Sequence, residues 1–340
     1  MGSFRQGFGR LSRTLNWYPK HMNSGMKQMQ AKLRSVDCIL ELHDARIPFS
    51  GRNPNFAQSL VGDKPHILVL NKVDLIPRET ARAIAASPLI TSSTPHIVFT
   101  NAKNDQDSGI KKITPLMRKL IEESDRYHRT NTTEFHAMII GVPNVGKSSL
   151  INILRARNMK KGRSLKVGPS AGVTKCVHEK VKVSENPTIF LFDTPGILTP
   201  KIDGDETGLK LAVCGNLPDH DVGEMLIADY ILYVLNSRKN TRYVTWMGLD
   251  GPCDCITTTL TKACIHLNIM YTVKDFNASG GLIKKPNFDI MAKMFIEKFR
   301  AGDFGKIILD EIDHTGVHDS HEKMHLHPNE TWMSSSSSTG

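Results

Sequence analysis

The fold is decided by the stretch Gly141-Val142-Pro143-Asn144-Val145-Gly146-Lys147-Ser148, which follows the apolar run Phe135–Ile140. Its spacing, GxxxxGK[ST] between a predicted strand and a predicted helix through Leu154, is that of a phosphate-binding loop. The glycines let successive backbone N–H groups turn inward around a phosphate, where the helix dipole adds positive potential. Lys147 is expected to bridge the β- and γ-phosphates, and the Ser148 hydroxyl is expected to bind Mg²⁺. The residues of this stretch predicted to bind nucleotide are Asn144, Val145, Gly146, Lys147, Ser148 and Ser149.

Strands alternate with helices around this loop, which predicts an α/β fold. A helix is predicted over Gly109–Tyr127, and a basic loop over Arg155–Lys166. We expect a mostly parallel sheet with helices on both faces. Its strands are predicted at the short apolar runs Val36–Leu42, His66–Leu70, His96–Phe99, Phe135–Ile140 and Ile189–Phe192, and at a charged ladder, Val177–Val183.

A second, smaller domain is predicted after Leu211, where the strand signals fade. Helical spacing continues over Asp221–Leu235, Ile256–Asn268 and Phe288–Arg300. The remaining tail is polar and rich in His and Ser, which is typical of disorder. The predicted domains are therefore a basic N-terminal arm and helix over 1–35, the α/β domain over 36–211, a helical domain over 212–312 and a disordered tail over 313–340.

Two strand-end segments upstream of the phosphate loop predict which base is bound. In Asn71-Lys72-Val73-Asp74, the Asp74 carboxylate can accept from the ring N–H and the exocyclic amine of guanine, a donor pair that adenine lacks. Asn71 is expected to serve the base edge and to tie neighbouring loops, while the Lys72 stem covers the ring face. After the next strand, the backbone N–H of Ala102 is expected to contact the guanine carbonyl oxygen. GTP is thus the predicted nucleotide, contacted by Asn71, Lys72, Val73, Asp74, Asn101, Ala102 and Lys103.

Two segments after the loop are expected to respond to the γ-phosphate. Asp193-Thr194-Pro195-Gly196 ends the run Ile189–Phe192, which places a carboxylate where magnesium needs it and the Gly196 N–H near the γ-phosphate. Thr174 lies in a Gly- and Ser-rich segment that can order around a γ-phosphate; the alternative is an ordinary loop threonine. The predicted Mg²⁺ ligands are Ser148, Thr174 and Asp193.

The charge of the chain favours polyanionic partners. The formal net charge is +10 and the pI about 9.3, so RNA is favoured through counterion release, with an acidic membrane surface as the alternative. The apolar runs are too short to span a bilayer, so no transmembrane helix is expected, while peripheral attachment stays open. The start of the chain carries Arg, Lys and Ser before its first acid, Asp37, which is typical of a transit peptide or of a basic arm on the mature protein.

The order of the motifs resembles that of a known family. In ordinary GTPases the phosphate loop comes first, whereas here Asn71–Asp74 and Asn101–Lys103 precede it. This order is similar to that of the circularly permuted GTPases of ribosome assembly, the YlqF/RbgA type, and in particular to its mitochondrial members. A permutation is tolerable because the termini of a compact domain often lie close together. The likeness runs from Trp17 to Leu309 and includes Trp17–Met22 (WFPGHM in the family), Asp44–Pro48 with Arg52-Asn53-Pro54 (DARIP and RNP) and Gly208–Ala212.

The resemblance also implies how water and ions are handled. Ile197 stands where many GTPases have the Gln that orients the attacking water. The family likeness gives that role to His21, whose imidazole would orient or deprotonate the water; packing beside the helix Met22–Leu33 is the alternative. Asn144 is similar to the asparagine that binds K⁺ in GTPases lacking this Gln, the alternative being an asparagine that tolerates the backbone of the loop.

Together these features predict a GTPase that binds the mitochondrial large ribosomal subunit and its rRNA through the basic arm and helical domain. It would hydrolyse GTP during subunit assembly in the matrix, in support of mitochondrial translation. We expect a monomer that uses GTP/GDP, Mg²⁺ and K⁺, with peripheral attachment to the matrix side of the inner membrane left open. Two alternatives remain: a non-enzymatic RNA-binding or scaffold protein with GTP as a structural cofactor, and a cytosolic or nucleolar permuted assembly GTPase.

Overall fold

The computed structural model describes residues 4–9, 32–52, 64–92, 94–126, 132–159, 180–194, 202, 204–274 and 281–312. The strands are β1 (Cys38–Asp44), β2 (His66–Asn71), β3 (Ile97–Phe99), β4 (Glu134–Ile140), β5 (Lys180–Glu185), β6 (Thr188–Asp193), β7 (Met270–Lys274) and β8 (Leu282–Pro286). The helices are α1 (Arg78–Ala86), α2 (Pro88–Thr91), α3 (Ser108–Glu122), α4 (Lys147–Asn158), α5 (Asp205–Val213), α6 (Asp219–Val222), α7 (Glu224–Ser237), α8 (Arg242–Met247), α9 (Ile256–His266) and α10 (Phe288–Ala301).

A six-stranded sheet forms the α/β part, in the order β3-β2-β1-β4-β6-β5. All neighbours are parallel except β5, which runs antiparallel to β6. Every residue of β1 and β2 is buried, as expected of parallel strands covered on both faces. The chain moves outward from β1 to β3 and then from β4 to the other edge, so β1 and β4 flank a switch point, where open α/β sheets bind ligands. The predicted α/β class is confirmed.

The described residues bury two large hydrophobic cores. The first surrounds the sheet and includes Ile113 of α3 and Leu150 of α4. The second joins the later helices and includes Leu209 of α5, Tyr230 of α7 and Phe295 of α10. Helix α5 includes residue 211 and packs in the second core. The domain boundary predicted at that residue therefore falls inside a helix.

The segment after α10 returns to the α/β part. The backbone N–H of Ile307 donates to the Leu75 carbonyl at 2.9 Å, and that of Leu309 donates to the Arg46 carbonyl at 2.8 Å. The Asp310 carboxylate accepts two backbone N–H groups of the loop after β1, at 2.8 and 2.9 Å. This C-terminal return, residues 306–310, therefore holds the loops that follow β1 and β2.

Three local differences from the sequence predictions appear. Helix α4 continues past Leu154 to Asn158, since Arg155 and Arg157 suit the negative end of a helix dipole. The strand predicted at Val177–Val183 is found at Lys180–Glu185, with 177–179 outside the described residues. The predicted helical domain also contains an antiparallel hairpin, β7–β8, which was not predicted.

The described part of the basic N-terminal arm packs on helix α7. The Arg5 guanidinium pairs with Asp229 at 2.8 Å and with Asp254 at 3.2 Å, and the Phe8 ring stands edge-on to Tyr230. The charge of Arg5 is thus neutralised within the protein, although the arm was predicted to bind RNA. Within the described ranges, no helix is both long and apolar enough to cross a membrane.

Candidate nucleotide site

The predicted site residues of the described chain converge on one edge of the sheet. Parallel strands bring their carboxyl ends together, and here β2 ends at Asn71, β6 ends at Asp193 and Gly141 follows β4. The Asn71 amide donates from Nδ2 to the Val145 carbonyl at 2.7 Å. The base-reading segment and the phosphate loop are therefore in direct contact, although they lie 74 positions apart in the chain.

Asn71 joins three loops. Besides its bond to Val145, its Oδ1 accepts from the Thr100 hydroxyl at 3.1 Å and from the Ala102 backbone N–H at 3.0 Å. The side chain is buried, so these bonds satisfy its polar groups away from water. The structure shows Asn71 tying the loops; its contact with the base edge stays a prediction.

Two glycines of the phosphate loop are required by close approaches. Gly146 has a left-handed backbone, with φ of 103°, and a Cβ there would lie 2.5 Å from the Asn71 Nδ2. A Cβ at Gly141 would collide with the backbone carbonyl of Leu42 on β1. A side chain at either position would therefore push the loop away from β1 or from the base-reading segment.

Lys147, the first residue of α4, is buried beneath the loop. Its Nζ donates to the carbonyls of Gly141 and Val142, both at 2.9 Å. Burial lowers its pKa to about 8, although the nearby Asp193 carboxylate opposes this shift. An anionic phosphate at the loop would favour the charged ammonium and raise this pKa again.

Ser148 and Asp193 form the oxygen pair that the sequence predicted for magnesium. The Ser148 hydroxyl donates to the Asp193 Oδ2 at 2.9 Å, and Asp193 is buried at the end of β6. The hydroxyl of the next residue, Thr194, donates to the Ile139 carbonyl at 2.6 Å and fixes the end of the strand. A hydroxyl beside a carboxylate fits Mg²⁺, which prefers hard oxygen ligands.

One oxygen of the Asp74 carboxylate finds no hydrogen-bond donor in the part of the chain that the structure describes. Asp74 lies in a short 3-10 turn, Val73–Leu75, that follows Lys72 in a left-handed backbone with φ of 62°. Its Oδ1 is buried and accepts no hydrogen bond from the described residues. Since an unpaired buried carboxylate oxygen costs free energy, the turn fits a ligand that brings its own N–H donor, as guanine does.

Lys72 is held by an acid that the sequence analysis gave no role. The Nζ of Lys72 lies 2.8 Å from Oδ2 of Asp44, the last residue of β1. The Arg46 guanidinium binds the same carboxylate through two bonds, at 3.0 and 2.8 Å. Burial raises the pKa of Asp44, but Arg46 and Lys72 outweigh burial and hold this pKa below its usual range. The strand-end position of Asp44, like that of Asp193, was the signal that sequence reasoning passed over.

A second buried acid, Glu41, lies earlier on the same strand. Its carboxylate contacts the Nε2 of His43 at 2.7 Å, the Nε of Arg52 at 3.0 Å and the Nε2 of His66 at 2.8 Å. Burial raises the pKa of Glu41, but its histidine partners and Arg52 hold this pKa well below the usual range. Burial lowers the pKa of His43 despite the pull of Glu41. None of these partners belongs to the predicted nucleotide site.

The loop predicted to read the guanine carbonyl is organised by its own side chain. The Asn101 Oδ1 accepts from the Lys103 backbone N–H at 2.9 Å. The Ala102 N–H already donates to Asn71, so the predicted contact with guanine requires this N–H to be shared. Asn101 thus closes the loop on itself.

The phosphate loop is also tied to the helical part. Asn144 has a left-handed backbone, with φ of 58°, and its Nδ2 donates to the Gly215 carbonyl at 2.7 Å. The Asn216 Nδ2 donates back to the Pro143 carbonyl at 2.6 Å. This reciprocal pair was not predicted, because nothing in the sequence marks residues 215 and 216 as neighbours of the loop.

Of the other predicted site residues, some are characterised only by their burial and others lie outside the described residues. Val145 is fully buried and Ser149 half-buried on the described phosphate loop and helix α4. His21, Thr174 and Gly196 lie outside the described residues. Their assigned roles in water activation, magnesium binding and γ-phosphate contact stay predictions.

The fold and site together define a circularly permuted P-loop GTPase, an enzyme that hydrolyses GTP. A family model described as 50S ribosome-binding GTPase matches residues 136–248. The crystal structure of GNP-bound YlqF from T. maritima covers 85% of this chain and 99% of that chain, with a TM-score of 0.54 and 18% identity. The GDP-bound YlqF structure gives a TM-score of 0.52. At this identity the likeness establishes the fold.

Relatives of higher identity extend over most of the chain. Mitochondrial GTPase 1 of Aedes aegypti is 49% identical over 311 residues, which are 91% of this chain and 98% of the relative. Mitochondrial ribosome-associated GTPase 1 of Xenopus tropicalis is 47% identical over 296 residues, 87% of this chain and 94% of the relative. The chain belongs to the mitochondrial ribosome-associated GTPase 1 family, which confirms the resemblance drawn from its motifs.

Proposed function

We propose that this GTPase works in mitochondria, where it binds GTP with Mg²⁺ and hydrolyses it on the large ribosomal subunit during assembly. One observation carries the nucleotide part: Asn71 joins the loops predicted to bind the base to the phosphate loop, and Oδ1 of Asp74 in the same motif accepts no hydrogen bond from the described residues. The names of the relatives, mitochondrial and ribosome-associated, support the compartment and the ribosomal partner.

The described residues divide the work of holding the nucleotide. Asp74 accepts the two guanine donors, and Lys147 with the loop N–H groups holds the β- and γ-phosphates. Ser148 and Asp193 would hold Mg²⁺, which when bound neutralises charge developing on the phosphates. His21, Thr174 and Gly196 complete this proposal as the water-activating, magnesium-binding and γ-phosphate residues. Asn144 as a K⁺ ligand stays a prediction, tested by turnover in K⁺ against Na⁺.

Nucleotide selectivity tests the guanine assignment. Asp74→Asn is expected to weaken GTP binding about 10- to 100-fold, since it removes a charge-assisted hydrogen-bond pair. The same variant is expected to gain affinity for XTP, whose base carries a carbonyl in place of the exocyclic amine and so accepts from the Asn amide. This gain shows that the variant is folded. Equal affinity of the wild type for GTP and ATP would overturn the assignment.

Proton uptake tests the place of Lys147. In the free protein, burial lowers the pKa of the Lys147 ammonium to about 8. If phosphate binds beside this ammonium, its negative charge raises the pKa, so Lys147 in the complex keeps its proton to a higher pH. Between that pKa and the higher one of the complex, the complex holds more protons, so GTP affinity falls as pH rises from 8 to 9. Calorimetry at pH 8.5 in two buffers of different ionisation enthalpy measures the uptake. A zero uptake contradicts the assignment.

Turnover with ribosomal subunits tests the assembly role. GTP hydrolysis is expected to accelerate at least tenfold when mitochondrial large subunits are added, and small subunits serve as the control. Lys147→Ala is expected to abolish both binding and turnover. GTP binding without turnover in either condition would favour a scaffold with structural GTP. A turnover rate that large subunits leave unchanged would refute the ribosomal role.

Two other expectations have their own tests. Gradient sedimentation of a mitochondrial matrix extract tests whether the protein is a monomer, and cell fractionation tests its compartment.

A further inference from the structure

Helix α5 ends in a turn that is closed by its own backbone. The N–H of Asn216 donates to the Leu211 carbonyl at 2.9 Å, and the N–H of Gly215 donates to the Ala212 carbonyl at 2.9 Å. Gly215 has a left-handed backbone, with φ of 77°, which is the usual conformation just past the end of a helix. The position of this turn therefore follows the position of the helix.

Arg300 of helix α10 fastens the turn to the rest of the helical part. Its guanidinium donates to the carbonyls of Ala212 and Val213 at 2.6 and 3.0 Å, and to the two oxygens of Asp219 at 2.6 and 2.8 Å. A Cβ on Gly215 would lie 3.3 Å from Cζ of Arg300, so the turn packs directly against the guanidinium. One side chain thus joins α10, the last carbonyls of α5 and the start of α6.

The other side of the turn holds the phosphate loop. The Gly215 carbonyl accepts from the Asn144 amide at 2.7 Å, and the Asn216 amide donates to the Pro143 carbonyl at 2.6 Å. Asn216 is buried, so its bond forms where water competes little for either group. Asn144 has a left-handed backbone that residues other than glycine seldom adopt. The turn therefore supports the loop at the point where its backbone is strained.

Helix α5 also connects to the γ-phosphate side of the site. Among the described residues, no other helix or strand stands between β6, which ends at Asp193, and α5. One end of α5 is thus linked through the chain to the predicted magnesium carboxylate, and the other end contacts the phosphate loop. Because packed helices shift as units, a small displacement of α5 or α10 would reach the loop through this turn.

We infer that Asn216 and Arg300 are positioning residues through which the helical part and the nucleotide site act on each other. Arg300 sets the turn, the turn sets the phosphate loop, and the loop presents its N–H groups to the phosphates. Such coupling is reciprocal, so a partner bound on the helical part changes GTP affinity by the same factor as GTP changes the affinity for that partner. This role rests on the proposed function, because it requires GTP at the phosphate loop.

The rate of nucleotide release tests the contact between the turn and the loop. Asn216→Ala removes the donor to the Pro143 carbonyl and is expected to speed release of a fluorescent GTP analogue about fivefold, since one hydrogen bond is lost. Arg300→Lys keeps the charge but cannot hold two carbonyls and a carboxylate at once, and it is expected to speed release about threefold.

A matched control separates this contact from general stability. The Asn240 amide donates to the Phe304 carbonyl at 2.7 Å within the helical part, away from the phosphate loop. Asn240→Ala is expected to leave the release rate within about twofold of the wild type. All rates are measured well below the thermal transition of each variant. The double variant Asn216→Ala with Arg300→Lys is expected to speed release by less than the product of the two single effects, because both residues act on one turn.

Hydrogen exchange of the full-length protein tests the opposite direction. The ligand is GMPPNP, a non-hydrolysable GTP analogue, with Mg²⁺. Binding is expected to slow exchange of the backbone N–H groups of residues 212–216 at least about threefold in the wild type, and to slow it less in Asn216→Ala. The wild-type measurement does not depend on the folding of any variant.

The outcomes distinguish the coupling from the nucleotide site itself. A wild type that binds GMPPNP without protection of residues 212–216 would overturn the inference and leave the proposed function standing. Equal release rates in Asn216→Ala and Asn240→Ala would also overturn it, because Asn216 would then serve stability alone. Failure of the wild type to bind GMPPNP would refute the proposed function, and the coupling with it.

Discussion

Strand β1 carries two buried acids that use different partners. Asp44, at its carboxyl end, is bound by two basic side chains, Arg46 and Lys72. Glu41, further inside the sheet, is bound by Arg52 and by two histidines, of which His43 has a pKa lowered by burial. Lys72 belongs to the predicted guanine site, and the partners of Glu41 do not.

The difference separates two uses of buried charge. The Asp44 cluster holds Lys72, a predicted nucleotide-binding residue, in place. The Glu41 cluster fastens the loop after β1 to the sheet through Arg52, and burial holds the pKa of its His43 below the ordinary value. We therefore expect the first cluster to control binding and stability, and the second to control stability alone.

The largest expected effect is on stability, and it is common to both clusters. Both Glu41→Gln and Asp44→Asn keep side-chain size but remove a buried carboxylate charge, from partly buried Arg52 in the first case and from buried Arg46 in the second. Each is expected to lower the free energy of unfolding by about 3–5 kcal/mol, measured by urea denaturation. A loss below about 1 kcal/mol in either variant would show that its cluster is solvated in the folded protein.

GTP affinity is expected to separate the same two variants. Asp44→Asn frees the Lys72 ammonium, so affinity should fall about tenfold, equivalent to about 1.4 kcal/mol. Glu41→Gln should stay within about twofold of the wild type. The measurement is made well below the thermal transition of each variant. Equal losses in the two variants would mean that the clusters act on the site together.

The smallest expected effect is on pH dependence. The folded pKa of His43 is lowered by burial, so the unfolded chain takes up this proton first as pH falls below about 6.5. Stability is therefore expected to fall between pH 7 and 5.5, by less than either substitution costs. The low pKa of Glu41 removes its contribution only in stronger acid. His43→Gln is expected to flatten the dependence of the free energy of unfolding on pH. If the variant keeps the slope of the wild type, another group is responsible for the dependence.

Much of the fold was predictable from the sequence because it rests on local signals. Buried parallel strands show as short apolar runs, and the phosphate loop shows as fixed spacing, so β1 to β4 and α4 were placed from residues alone. The hairpin β7–β8 was missed because its strands are mostly exposed and lack a buried face that would produce alternation. Exposed strands leave little periodic trace.

Parts of the site were less accessible because they depend on tertiary contacts. The motif residues Asn71, Asp74 and Lys147 were found from their spacing. The bonds from Asn144 to Gly215 and from Asn216 to Pro143 join segments whose proximity only the packed helices create. Asp44 was visible as a strand-end acid, but its partner Lys72 follows the end of another strand, and the sequence alone does not pair them.

The C-terminal return of residues 306–310 has a consequence for biosynthesis. Leu75, which directly follows Asp74, and Arg46, which grips Asp44, each receive a backbone bond from this return. During translation these two loops leave the ribosome early, and the residues that fasten them follow more than two hundred positions later. A nascent chain with its sheet already formed therefore still lacks the backbone bonds that hold the loops after β1 and β2 until residues 306–310 have left the ribosome.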